Sequence, residues 1–191
     1  MGFFSLSEDG RRGFTLIEVL VALAILALIV PILSLTTVQI IRLSKTSQDT
    51  AYIVRQVQNV GQWVSDDATQ VAVPPVLVNN GFTPSGSQFI LTLKYPLTPA
   101  EALSIPQILH TVVYTLIPNA TPSPQWFTLT RSFDGGSPIV VGDHILYTTP
   151  VSVNSPTWFK LISGNAYELK VTAQIGNTSK TRTYDIQRRV T

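Results

Sequence analysis

Glu18 is the one charge in an apolar run from Phe14 to Leu35. That run has about 22 residues, and a helix needs about 20 to cross a bilayer. A carboxylate placed four residues into such a run is costly unless something pairs with it. Immediately before the run stands Arg11-Arg12-Gly13. The Gly13–Phe14 peptide bond therefore joins a charged stretch with no hydrophobic pattern to an apolar one, and residues 1–13 read as a removable leader. Two positions therefore carry most of what these residues say about function: the glycine junction and the carboxylate of Glu18.

The other residues able to do chemistry are sparse. His110 and His144 are the only histidines, and both fall in predicted strands with no acidic residue at ligand spacing. They read as strand-surface or core histidines, and no metal site is expected. Asp66-Asp67 reads as a solvated helix face rather than a calcium site, and Asp134 as a turn residue. There is no cysteine, hence no disulfide and no thiolate chemistry. No Gly-x-Ser-x-Gly, P-loop or dinucleotide fingerprint occurs, so neither an enzyme nor a cofactor is expected. Lys180, Arg182, Arg188 and Arg189 make the last strand basic, and Trp126, Trp158 and several tyrosines are available to stack on bases, a pattern that would suit DNA. A charged edge strand that resists edge-to-edge pairing explains the same residues. The formal net charge of only +2 and the lack of aromatic–basic alternation favour that second explanation.

These residues must be positioned by a few elements. A chain of 191 residues suits one domain plus an anchor, and 45% apolar with 13% charged residues excludes disorder throughout. From Phe14 to Leu35 the apolar residues cover every helical face, as a span requires. Pro31 should kink this helix or open its hydrogen-bond ladder locally. Beyond Leu35, Val38, Ile41, Ile53, Val57, Val60, Val64, Ala68 and Val71 recur largely at three- and four-residue steps, which predicts an amphipathic continuation. Pro74-Pro75 should end it, giving a helix of about 60 residues and about 90 Å. Residues 74–87 read as a loop. Alternating runs then begin at Phe89, Ile108, Gln125, Ile139, Trp158, Tyr167 and Lys180. Asp134-Gly135-Gly136 and Gly176-Asn177 supply hairpin signals between them. Six or seven such strands predict an antiparallel sheet whose apolar face packs on the C-terminal, amphipathic half of the helix.

Gly13-Phe14-Thr15-Leu16-Ile17-Glu18 followed by Val-Leu-Val-Ala-Leu-Ala-Ile-Leu resembles the prepilin signal of type IV pilins and type II secretion pseudopilins. The resemblance covers about the first 25 residues. It implies that a prepilin peptidase cuts after Gly13 and N-methylates Phe14, with Arg11 and Arg12 as basic leader residues. It also implies that Glu18 guides assembly by meeting the α-amino group of Phe14 on a neighbouring subunit. Within the family, residues 54–72, with their glutamines, Trp63 and Asp66-Asp67, are similar to minor pseudopilins of the J or W type. Retention of Glu18 argues against the tip-capping type that lacks this acid.

The expected fold class is α+β and pilin-like. Its segments are a leader at 1–13, a transmembrane and assembly helix at 14–35, its amphipathic continuation at 36–73, and an antiparallel β-sheet domain at 74–191. The resemblance implies a minor filament subunit of the cytoplasmic membrane with its C-terminal domain outside. Its implied partners are the prepilin peptidase, other pilin or pseudopilin subunits, the inner-membrane assembly platform and the lipid bilayer. Two alternatives remain: a competence-type minor pilin that contacts DNA, and a plain membrane-anchored β-domain that is never cleaved. An ordinary secretory signal fits poorly, because the apolar run is too long and no small-x-small site follows it.

Overall fold

A computed structural model describes residues 14–72, 83–85, 88–119, 126–148 and 155–188. Residues 1–13, with Arg11, Arg12 and Gly13, and residue Arg189 lie outside the described residues, as does most of the expected 74–87 loop. The chain divides into two units, Met1–Lys45 and Thr46–Thr191, with the first helix, α1 (Leu16–Thr69), spanning the division.

In the first unit every described side chain is exposed, including Val38 and Ile41, which the periodicity had placed on a buried face. Among the described residues α1 is the one helix long and apolar enough to cross a membrane. It continues through Pro31, whose missing N–H removes one rung of the ladder at the Ala27 carbonyl. Just beyond, the hydroxyls of Ser34, Thr36 and Thr37 each donate to a carbonyl four residues back, all at 2.9 Å. Such back-bonding keeps hydroxyls satisfied in an apolar setting.

In the second unit α1 buries Ile53, Val57, Val60, Gly61, Val64, Asp67 and Ala68, a stripe at helical spacing. The stripe packs on an antiparallel sheet of eight strands: β1 (Thr83–Ser85), β2 (Gln88–Tyr95), β3 (His110–Pro118), β4 (Trp126–Phe133), β5 (Ile139–Leu146), β6 (Trp158–Ser163), β7 (Ala166–Ile175) and β8 (Thr178–Gln187). Their order is β1-β2-β3-β4-β5-β7-β6, with β8 along the other edge of β7. Leu91 and Leu93, Val112 and Tyr114, and Leu169 and Val171 point from β2, β3 and β7 into the core. The expected alternation in β7 holds, and Thr172 is buried as well.

Helix and sheet meet closely at two glycines. A Cβ on Gly142 would lie 2.2 Å from Val60 Cγ2, and one on Gly61 would lie 1.9 Å from Tyr184 Cζ. The Tyr184 hydroxyl donates to Val57 O at 3.0 Å, tying β8 to the helix backbone. Between Ile139 and His144 no described strand covers the second edge of β5, since β7 joins it only at Ile145–Ala173. Helix side chains take the neighbour's place: Asn59 Nδ2 donates to Val141 O at 2.7 Å, and Gln56 Oε1 accepts from Asp143 N at 2.9 Å.

Three details differ from the periodicity. The helix ends at Thr69 rather than at residue 73. Gln70 and Val71 donate back over three residues, and Ala72 N then donates to Lys94 O of β2 at 2.9 Å. The open edge of β2 therefore captures the chain before Pro74 is reached, and Val71 is buried without being helical. Part of the expected loop, Thr83–Ser85, is a strand on β2, which raises the strand number to eight. A short helix, α2 (Pro99–Ala102), interrupts the β2–β3 connection, closed by a capping box between Thr98 and Glu101.

Candidate functional site

The N-terminal end of α1 is built from Thr15 and Glu18. Glu18 Oε2 accepts from the Thr15 backbone N–H and from the Thr15 hydroxyl, both at 2.9 Å, while Glu18 N donates to Thr15 Oγ1 at 3.3 Å. This reciprocal arrangement is a capping box, which satisfies backbone donors that have no partner inside the helix. Phe14 and Thr15 precede the helix, and among the described residues the first carbonyl of its ladder is that of Thr15, reached by Glu18 N and Val19 N. The Phe14 side chain is 87% exposed. In the single chain Glu18 is therefore already partnered. The sequence carries the signal for this as Thr15-x-x-Glu18, the spacing of a capping box.

A second constellation lies at the other end of the same helix, in the second unit. Asp67 is 4% exposed, which corrects its reading as part of a solvated face; Asp66 alone is exposed. The Asp67 carboxylate accepts Arg131 Nε at 2.8 Å, Arg131 Nη2 at 2.9 Å and the Tyr95 hydroxyl at 2.9 Å, and also accepts the Tyr114 hydroxyl. Burial, followed by the Asp67 charge, pushes the Tyr95 phenol up to about 12 and the Tyr114 phenol higher still. The hydrogen bonds to Asp67 outweigh burial and raise Arg131 above the usual guanidinium value. Outside the charge, Trp63 and Phe133 flank the guanidinium, with ring centroids 4.9 Å and 5.9 Å from Arg131 Cζ. A buried charge satisfied on every side locks the last turn of α1 to β2, β3 and β4.

The histidines are not isolated from acids, contrary to their sequence spacing. His110 Nδ1 lies 2.5 Å from Asp134 Oδ2, its Nε2 lies 3.6 Å from Glu101 Oε1, and its ring stacks on Phe133. The Asp134 bond raises His110 above its ordinary value, against a smaller opposing effect of burial. His144 adjoins Asp143 and packs beside Tyr52 and Trp126. Burial pushes the Asp143 carboxyl up, yet bonds from His144 N, Thr128 and Asn119 together hold it below the usual range. Among the described residues no group of three or more His, Cys, Asp or Glu side chains is arranged to hold a metal ion. Asp134 keeps its turn role, with φ of 46°, while its Oδ1 also accepts Thr111 N at 2.7 Å.

The basic strand does not combine with the tryptophans. Arg182 is opposite the buried Val171 and Lys180 is opposite Ala173, so both share the core-side face of the sheet at its edge. Trp158 is opposite Lys170 on the other face, where Lys160 and Lys170 ammoniums lie 4.8 Å and 4.4 Å from its ring. Arg188 is half-buried, and its N–H donates to Asn165 O.

Residues 9–30 match the family model of the prokaryotic N-terminal methylation motif. The match supports kinship with type IV pilin-like chains that a prepilin peptidase processes, and it covers the Gly13–Phe14 junction, Thr15 and Glu18. Comparison with curated proteins and with solved structures returned no match.

Proposed function

We propose that this chain is a minor, structural subunit of a type IV-like filament, a pilus or a type II secretion pseudopilus. The observation that carries the proposal is the methylation motif at residues 9–30, which runs into a helix that is exposed from Leu16 to Lys45, apolar but for Glu18 up to Leu33, and packed on a sheet domain from Ile53 onward. On this reading the peptidase cuts after Gly13 and methylates Phe14. The helix rests in the cytoplasmic membrane with the sheet domain outside, until the assembly platform extracts it into the filament. Glu18 meets the Phe14 amine of a neighbouring subunit. In a low-dielectric environment an axial slip would leave both charges unpaired, so the pair sets the stagger between subunits.

Support for a DNA-contacting role is weak, because Lys180 and Arg182 lie on the opposite sheet face from Trp158. Intact-mass spectrometry of the protein from its native membrane tests the proposal. A chain beginning at Phe14 with one added methyl is the expected result. A chain retaining residues 1–13 in the presence of the peptidase would point to a plain anchored domain.

A further inference from the structure

We infer that His110 is a pH-operated latch on the β2–β3 connection: its imidazolium holds the Glu101 carboxylate of α2, and loss of the second ring proton releases α2 while the Asp134 side stays shut. The ring lies between two carboxylates. His110 Nδ1 is 2.5 Å from Asp134 Oδ2, and Nε2 is 3.6 Å from Glu101 Oε1. An imidazolium donates from both nitrogens, whereas a neutral ring donates from only one. The shorter contact keeps the remaining proton, so a neutral ring turns a bare Nε2 lone pair toward Glu101. Nε2 is buried and has no hydrogen-bond partner among the described residues.

Turning Glu101 away from that lone pair breaks the cap of α2. Its Oε2 accepts the Leu97 and Thr98 backbone N–H groups, at 2.8 Å and 2.9 Å, and the Thr98 bond is half of the capping box. The repulsion therefore falls on the box itself. Little else ties α2 down. None of its residues is buried. Among the described residues its hydrogen bonds run only between residues 97 and 108. A cavity of about 450 Å³ adjoins it, lined in part by Ala72, Leu97, Ala102 and Leu103.

Of the ring and the groups that face it, only the ring changes charge near neutrality. The Thr98 backbone bond holds Glu101 below the usual carboxylate range, and the His110 bond does the same for Asp134. From β2, Tyr95 lies opposite His110, and burial pushes its phenol up to about 12. From β4, Phe133 stacks on the ring and is neutral, while Arg131 is taken up by Asp67 of α1. The Asp134 bond raises His110 above its ordinary value of about 6.5. The latch is therefore shut below about 6.5 and opens as pH rises through the higher folded value.

Amide hydrogen exchange of the full-length chain in detergent micelles tests the latch. It is measured well below and well above the His110 midpoint read from its ring protons, with rates referred to those of the unfolded peptide. The Ala102 and Leu103 N–H groups donate to Thr98 O and Pro99 O. Their protection should fall about twofold to fivefold at the higher pH, the effect of losing an exposed ion pair. The Thr111 N–H, held by Asp134 Oδ1, should keep its protection. Glu101→Gln keeps the capping box, because glutamine serves there as glutamate does, and should abolish the fall. Asp134→Asn should move the fall to lower pH. Four results would each overturn the inference: unchanged protection of α2 in the parent chain, a fall that persists in Glu101→Gln, a fall that Asp134→Asn leaves in place, or a loss at Thr111 instead of at α2.

Discussion

Arg131 grips Asp67 with two bonds, Nε to Oδ2 at 2.8 Å and Nη2 to Oδ1 at 2.9 Å, across 64 residues of sequence. The pair joins the last turn of α1 to β4. The hydroxyls of Tyr95 and Tyr114 complete the carboxylate's partners from β2 and β3.

Breaking the pair from one side should be costly. Arg131→Met leaves a buried carboxylate facing two phenols, and a loss of about 3–5 kcal/mol is expected. Replacing both charges, as in Asp67→Leu with Arg131→Met, should recover part of that loss. Urea denaturation followed by tryptophan fluorescence measures both variants. A single variant as stable as the parent would remove the locking role.

His110 should give stability a dependence on pH near neutrality. Its folded pKa is raised, so its contribution is complete below about 6.5, the unfolded value, and is lost as pH rises through the folded value. Asp134 is lowered, so its contribution is present above about 3.9 and is lost as pH falls through its folded value. The pair's contribution is thus complete between about 3.9 and about 6.5, the two unfolded values, and fades beyond them toward the folded ones. Ring proton shifts should place the His110 midpoint above 6.5, and Asp134→Asn should move it down. An unmoved midpoint would show that Asp134 does not govern it.

Gly61→Ala should destabilise the protein, although alanine suits a helix better by about 1 kcal/mol. The added carbon would fall 1.9 Å from Tyr184 Cζ, displacing the ring and breaking its bond to Val57 O. Combining Gly61→Ala with Tyr184→Ala relieves the clash, so the pair of changes should cost less than the sum of the two alone. Additive costs in a double-mutant cycle would contradict the contact.

At the N-terminus, Gly13→Val should block cleavage, whereas Glu18→Val should be cut and then fail to enter filaments. The readouts are intact mass for the first and sheared-filament content for the second. Normal filament content of Glu18→Val would dissociate the charge from assembly.

Local features were legible in the chain itself. The apolar run, the glycine junction, the helical stripe from Ile53 to Ala68 and the strand alternation in β7 all follow from residue types at short spacing, because helix and strand periods are properties of a few consecutive residues. The Thr15–Glu18 box belongs with them, since a T-x-x-E spacing needs only one helical turn. The burial of Asp67 was not legible there, because its solvation depends on Arg131, Tyr95 and Tyr114 arriving from three strands. Nor was the acid partner of His110, which comes from a turn 24 residues away. Strand register decided that Trp158 and Arg182 face opposite ways, and the open edge of β2 decided where the helix stops. The sequence by itself determined a helix long and apolar enough to cross a membrane, a glycine junction within a methylation motif, and a sheet-forming remainder. Only the tertiary structure decided which charges that sheet buries, because burial of a charge is set by the neighbours that assemble around it.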